Sequence, residues 1–171
     1  MSSWGKYKPN ESGKNSWSQE EAFEKLTTFC AYQERCPWEI RRKLYDKGIT
    51  DEPAEQLIAE LIEEEFVNEE RYARSFARGK FRLKKWGRNR IRMELKMREV
   101  SEELIRKGLS EIDPEDYYDT LLTQTEKKWE TTTESDAYKK KFKVTQYLMN
   151  KGFEMDLIKE AIEDLSNDQS Q

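Results

Sequence analysis

Apolar residues in this chain recur three or four positions apart, the spacing of one face of a helix, and seldom alternate as in a strand. Ala22, Leu26, Phe29 and Cys30 form the first such stripe. It opens near Ser18, with Glu20 and Glu21 placed to complement a helix dipole. Pro37 suits the first position of a second helix, where its missing N–H is not used. Ile40 and Leu44 are that helix's apolar stripe and Gly48 ends it, after which Ala54, Leu57, Ile58 and Leu61 mark a third helix.

The pattern then returns. Residues 38–50 align with 89–101 at an offset of 51, and with 142–154 at an offset of 104. Ile40, Ile91 and Val144 correspond, as do Leu44, Leu95 and Leu148, and Ile49, Val100 and Phe153. Further on, Ala54, Ile105 and Ile158 agree, then Leu61, Ile112 and Leu165. Upstream, Ala22/Leu26, Tyr72/Phe76 and Tyr117/Leu121 are matched as first-helix pairs. Five concordant columns predict an all-α chain of three tandem three-helix repeats, at 18–67, 68–112 and 113–166. The polar run 130–135 (ETTTES) is expected to separate two helices of the third repeat. Residues 1–17, which carry Trp4, Tyr7, Lys6, Lys8 and Lys14, read as a disordered basic arm, and 167–171 as a frayed tail.

Composition agrees with thin helical layers: charged residues make up 39% and hydrophobic residues 35%, too few for one thick core. No apolar run approaches the roughly 20 residues that cross a bilayer. With no secretory pattern at the start, a soluble cytoplasmic protein is expected, as a monomer. Cys30 and Cys36 are the only cysteines and there is no histidine, which argues against zinc and, in a reducing compartment, against a disulfide. No phosphate-binding loop or nucleophile elbow is present. Neither enzymatic activity nor a cofactor or metal is expected.

Charge changes the picture. Residues 71–98 hold twelve bases and one acid, Glu94, whereas 51–70 hold nine acids and no base, in a chain of formal net charge −4. On a helix, Arg71, Arg74, Arg78, Arg82 and Lys85 fall on one face over roughly 20 Å, able to follow phosphates or an acidic groove. Tyr72, Phe76 and Leu83 share another face, read as the core side, with Phe81 beside the basic stripe. Lys84, Arg88, Arg90, Arg92 and Lys96 extend the basic set into the next helix, where Ile91 and Leu95 point inward. Phe81, Met93 and Met97 are expected to pack between repeats, and Trp38 and Trp86 to be structural. The bland reading is that the acidic helix simply neutralises the basic one within the fold.

These residues resemble the RecX family of bacterial regulatory proteins. The resemblance rests on Arg35, Glu39, Ile40, Lys43, Leu44, Lys47 and Gly48 in the first repeat. In the second it rests on Asn68, Tyr72-Ala73, the basic stripe, Gly87, Ile91, Glu94 and Leu95, with Arg98-Glu99 where the family has Lys-Gly. Cys36 stands where a capping serine is usual. The resemblance implies a curved, elongated array of three repeats. It further implies a modulator that lodges in the RecA filament on single-stranded DNA and suppresses ATP hydrolysis and strand exchange. Arg71, Arg74, Arg78, Arg82, Lys84, Lys85, Arg88, Arg90, Arg92 and Lys96 are then the expected contacts with RecA or DNA. Two other readings stay open: a helical protein that binds DNA directly through its basic second repeat, and a repeat scaffold for some other protein.

Overall fold

A computed structural model describes residues 16–168, and among these nine α-helices and no strand occur. They are α1 (Gln19–Tyr32), α2 (Pro37–Asp46), α3 (Asp51–Glu63), α4 (Glu69–Lys84), α5 (Arg88–Met97), α6 (Glu102–Leu109), α7 (Pro114–Thr131), α8 (Ala137–Lys151) and α9 (Met155–Asp168). Of the arm expected over 1–17, residues 1–15 lie outside the described residues, whereas Trp17 packs on the core of the first repeat. Of the tail expected over 167–171, residues 167 and 168 still belong to α9, and the last three lie outside the described residues. The chain forms two compact units, and the division between them falls inside α4, after Tyr72.

Local signals place most helix starts. Ser18 accepts from the Glu21 N–H while Glu21 reaches back to the Ser18 N–H, a capping box that satisfies two otherwise orphaned donors. Pro37 and Pro114 each occupy the first position of a helix. Asn68 accepts from the Arg71 N–H at 2.9 Å, so it caps α4. At Cys36, Glu39 accepts from the backbone N–H at 3.3 Å, a satisfied start without serine.

The ends of the three second helices explain two of the repeating columns. At each, the apolar residue after the turn donates its N–H five residues back: Ile49 to Leu44, Val100 to Leu95 and Phe153 to Leu148, at 3.0–3.1 Å. The residue before it donates three back, Gly48 to Tyr45, Glu99 to Lys96 and Gly152 to Met149. This is a Schellman motif, which requires a left-handed residue at the turn and pairs two apolar side chains across it. Gly48 (φ 82°) and Gly152 (φ 97°) adopt that conformation without a Cβ penalty, and Glu99 adopts it at φ 61°.

Within the first unit, Ala22, Leu26 and Cys30 of α1 pack with Ile40 and Leu44 of α2 and with Ala54, Leu57, Ile58 and Leu61 of α3. Trp17 sits against this core, with the ammonium groups of Lys25, Lys43 and Lys47 around its ring. Both cysteines are free and buried; burial pushes the Cys30 thiol up to about 11 and raises that of Cys36.

In the second unit α5 packs on α6, and α7, α8 and α9 pack on one another. The core register of α4 differs from the sequence expectation. Ala73, Ala77 and Phe81 are buried, Phe76 is only partly buried, and Leu83 is 83% exposed. Phe81, expected beside the basic stripe, stacks on Tyr117 with ring centroids 5.8 Å apart. The reason is close approach: a Cβ at Gly108 of α6 would lie 2.7 Å from the Ala73 carbonyl oxygen. A residue as small as alanine fits there; of the face expected to be the core side, Tyr72 is buried as read, while Phe76 and Leu83 turn outward. Ala73, Ala77 and Phe81 then match Ala22, Leu26 and Cys30 at the same offset of 51 seen further along. Met93 and Met97, expected to be packed, are exposed.

Candidate functional site

The structure sorts the ten basic residues singled out by sequence into committed and available groups. Arg71, in the first unit, donates to Glu34 at 2.5 Å and to the carbonyls of Glu65 and Phe66. Arg74 and Arg78 grip the two oxygens of Glu111 at 2.9 and 3.1 Å, and these hydrogen bonds hold the Glu111 carboxyl below its ordinary range. Glu102 accepts from Lys96 and Arg92, and its carboxyl is lowered in the same way. These neutralising acids therefore come from the turn after α1, from α6 and from the turn after α6. The acidic α3 contributes a partner to Arg41, through Glu55.

Arg88 is the most deeply committed. Its guanidinium lies 3.8 Å from the Tyr117 ring centroid and 3.5 Å from Glu154, and the Arg88 backbone N–H donates to the Tyr117 hydroxyl. That hydroxyl donates in turn to Glu154 at 2.6 Å; burial and this bond raise the phenol. Beside it, the Gly87 and Asn89 N–H groups donate to the carbonyls of Lys151 and Gly152, so α5 begins on the end of α8. A Cβ on Gly87 would collide with the Gly152 backbone, which explains a glycine at this point of the motif.

Arg82, Lys84 and Lys85 remain. All three are exposed and their side chains enter no ion pair among the described residues. The predicted face ends at Arg82, because α4 closes at Lys84 and Lys85 turns left-handed at φ 56°. That turn gathers the three cations at one corner instead of extending the row. Trp86 anchors the corner, half-buried, with Arg90 4.2 Å and Lys80 5.0 Å from its ring and Phe76 edge-on at 6.4 Å. Arg90 also donates to the Asn150 carbonyl, and Lys151 to the Lys84 carbonyl. Lys80 and Lys151 were absent from the sequence-derived set. Lys80 lies in the basic run, but its aromatic neighbours show only in three dimensions, and Lys151 joins from 67 residues away.

The corner thus offers cations without an acid, beside exposed Leu83 and a fixed indole, a surface for phosphate or carboxylate groups. Among the described residues no grouping of Cys, Asp and Glu could hold a metal ion. No described helix is long and apolar enough to cross a membrane.

Comparison with known proteins finds three tandem three-helix domains. Residues 22–61, 68–109 and 115–162 match the first, second and third three-helix domains of RecX. The regulatory protein RecX of Clostridium perfringens (strain 13 / Type A) is 35% identical over 133 residues, 77% of this chain and 62% of that protein. That of Bacillus cytotoxicus is 26% identical over 149 residues, 87% of this chain and 55% of that protein. The chain therefore spans a little over half to about three fifths of the length of these relatives. A crystal structure of RecX from Lactobacillus salivarius superposes with a TM-score of 0.74, covering 86% of this chain and 96% of that one at 22% identity, which speaks to the fold. Three consecutive domain matches, in order and over most of its length, place the chain in the RecX family.

Proposed function

We propose that this protein is a regulator that seats on the RecA filament on single-stranded DNA and suppresses its ATP hydrolysis and strand exchange. The observation that carries the reading is the cationic corner. Arg82, Lys84 and Lys85 stay unneutralised while the other arginines of α4 are tied to Glu34 and Glu111. Holding such charge out in a chain of net charge −4 costs local repulsion, which a polyanionic or acidic partner would offset. Membership of a family whose relatives are regulatory proteins supports the same role.

The test is RecA's DNA-dependent ATP hydrolysis on single-stranded DNA, with this protein titrated in below RecA's concentration. Inhibition at substoichiometric amounts is expected, and R82E/K84E/K85E should raise the concentration required by roughly tenfold or more. Inhibition that survives the triple reversal would remove the corner from the mechanism. No inhibition by the unaltered protein, with tight salt-sensitive binding to bare DNA, would favour the direct DNA-binding reading.

A further inference from the structure

The third repeat departs from the other two at its second helix. α8 runs for 15 residues, whereas α2 and α5 run for 10 each. In repeat register, Phe142, Thr145 and Met149 of α8 stand where α5 has Asn89, Arg92 and Lys96, and where α2 has Trp38, Arg41 and Tyr45. In α5, Arg92 and Lys96 are bound to Glu102; in α2, Arg41 is bound to Glu55 and the two aromatics are half-buried. In α8 two of the three equivalent places are apolar and open, Phe142 at 58% and Met149 at 42% exposed, with the uncharged, partly buried Thr145 between them. The additional N-terminal turn adds Tyr138, 80% exposed, one turn before Phe142 on the same face.

The charge carried by α8 itself is one-signed, although Glu134 and Asp136 precede it and Glu163 lines the groove beside Lys141. α8 contains Lys139, Lys140, Lys141, Lys143 and Lys151 and no acid. Lys143 is held by Glu134, Lys140 lies over Trp129, and Lys151 donates to the Lys84 carbonyl. Lys139 and Lys141, on either side of the Tyr138–Phe142 ridge, are exposed and form no side-chain ion pair among the described residues. Open aromatic rings flanked by free ammonium groups suit a partner with flat π-faces and a regular row of anions. A protein surface rarely supplies both, and protein interfaces are depleted in lysine. A single strand of nucleic acid supplies both at every residue.

We propose that the outer face of α8 binds single-stranded nucleic acid, with bases stacked on Tyr138 and Phe142 and phosphates met by Lys139 and Lys141. This contact deepens the filament reading above by adding a strand-binding element separate from the α4 corner. It is tested without RecA, so the two can fail independently. Fluorescence anisotropy would compare a labelled oligothymidylate with an abasic strand of equal length, which keeps the phosphates and lacks the bases.

The unaltered protein is expected to prefer the base-bearing strand by about tenfold, the scale of one or two stacked bases. Y138A/F142A should erase that preference, K139E/K141E should weaken binding to both strands, and R82E/K84E/K85E should leave the preference in place. These side chains are exposed, so far-ultraviolet circular dichroism should be unchanged in each variant. Absence of a base preference in the unaltered protein, or its survival in Y138A/F142A, overturns the proposal. So does a Y138A/F142A protein that binds both strands normally yet no longer inhibits RecA, since α8 would then face a protein.

Discussion

Glu99 holds the left-handed turn at the end of α5 at φ 61°, where the equivalent turns use Gly48 and Gly152. A side chain in this conformation costs roughly 1–2 kcal/mol, partly offset because glycine gives up more backbone freedom on folding. The surrounding Schellman hydrogen bonds, Glu99 to Lys96 at 2.9 Å and Val100 to Leu95 at 3.1 Å, enforce it regardless. Glu99→Gly should therefore stabilise the protein by about 0.5–1 kcal/mol, read as a higher denaturant midpoint with unchanged slope. A lower midpoint would mean that the Glu99 side chain contributes more than the strain removes. The departure from Lys-Gly is visible in the sequence. That the turn keeps its geometry with glutamate in place is not, because it depends on the apolar pair Leu95 and Val100 closing across it.

At the level of the helix, α4 shows where periodicity suffices and where it fails. Its existence and its arginine face follow from spacing, whereas Asn68 at its start is singled out only through the family resemblance. Its buried face follows only in part: Tyr72 is buried as the spacing suggests, but Ala73, which meets Gly108 of α6, and Ala77 are buried too and look unremarkable beside Phe76 and Leu83. Ion pairing was equally illegible: Arg74 meets Glu111 from 37 residues away, and Arg88 meets Glu154 from 66. Glu111 thereby withdraws two cations of the arginine face. Arg74 also donates to the Lys107 carbonyl, so Glu111→Gln should release chiefly Arg78 and strengthen binding of the protein to single-stranded DNA by roughly two- to tenfold, measured by anisotropy. Unchanged binding would show that Arg78 does not reach the strand even without Glu111. Acid should act in the same sense. The folded-state pKa of Glu111 lies below its unfolded value, so its ion pairs stabilise the fold at neutral pH. That contribution is lost as pH falls from the ordinary carboxylate range through the lowered value, and a carboxyl chemical-shift titration would follow it.

Across the whole chain, a net charge of −4 predicts weak attraction to any polyanion, so binding must come from local surfaces. Two are available in the second compact unit, Arg82/Lys84/Lys85 and Lys139/Lys141, and salt dependence can count them. Each phosphate neutralised on a single strand contributes about −0.7 to the slope of log K against log salt. Five engaged cations give a slope near −3.5, equivalent to about a hundredfold loss of affinity between 50 and 200 mM salt. The triple reversal at the corner should bring the slope to about −1.4, and K139E/K141E to about −2. A slope unmoved by the corner variant would mean that those cations never meet phosphate, and RecA's own acidic side chains would become their expected counterpart. A slope unmoved by the α8 variant, with the corner variant behaving as expected, would confine the nucleic-acid contact to the second repeat.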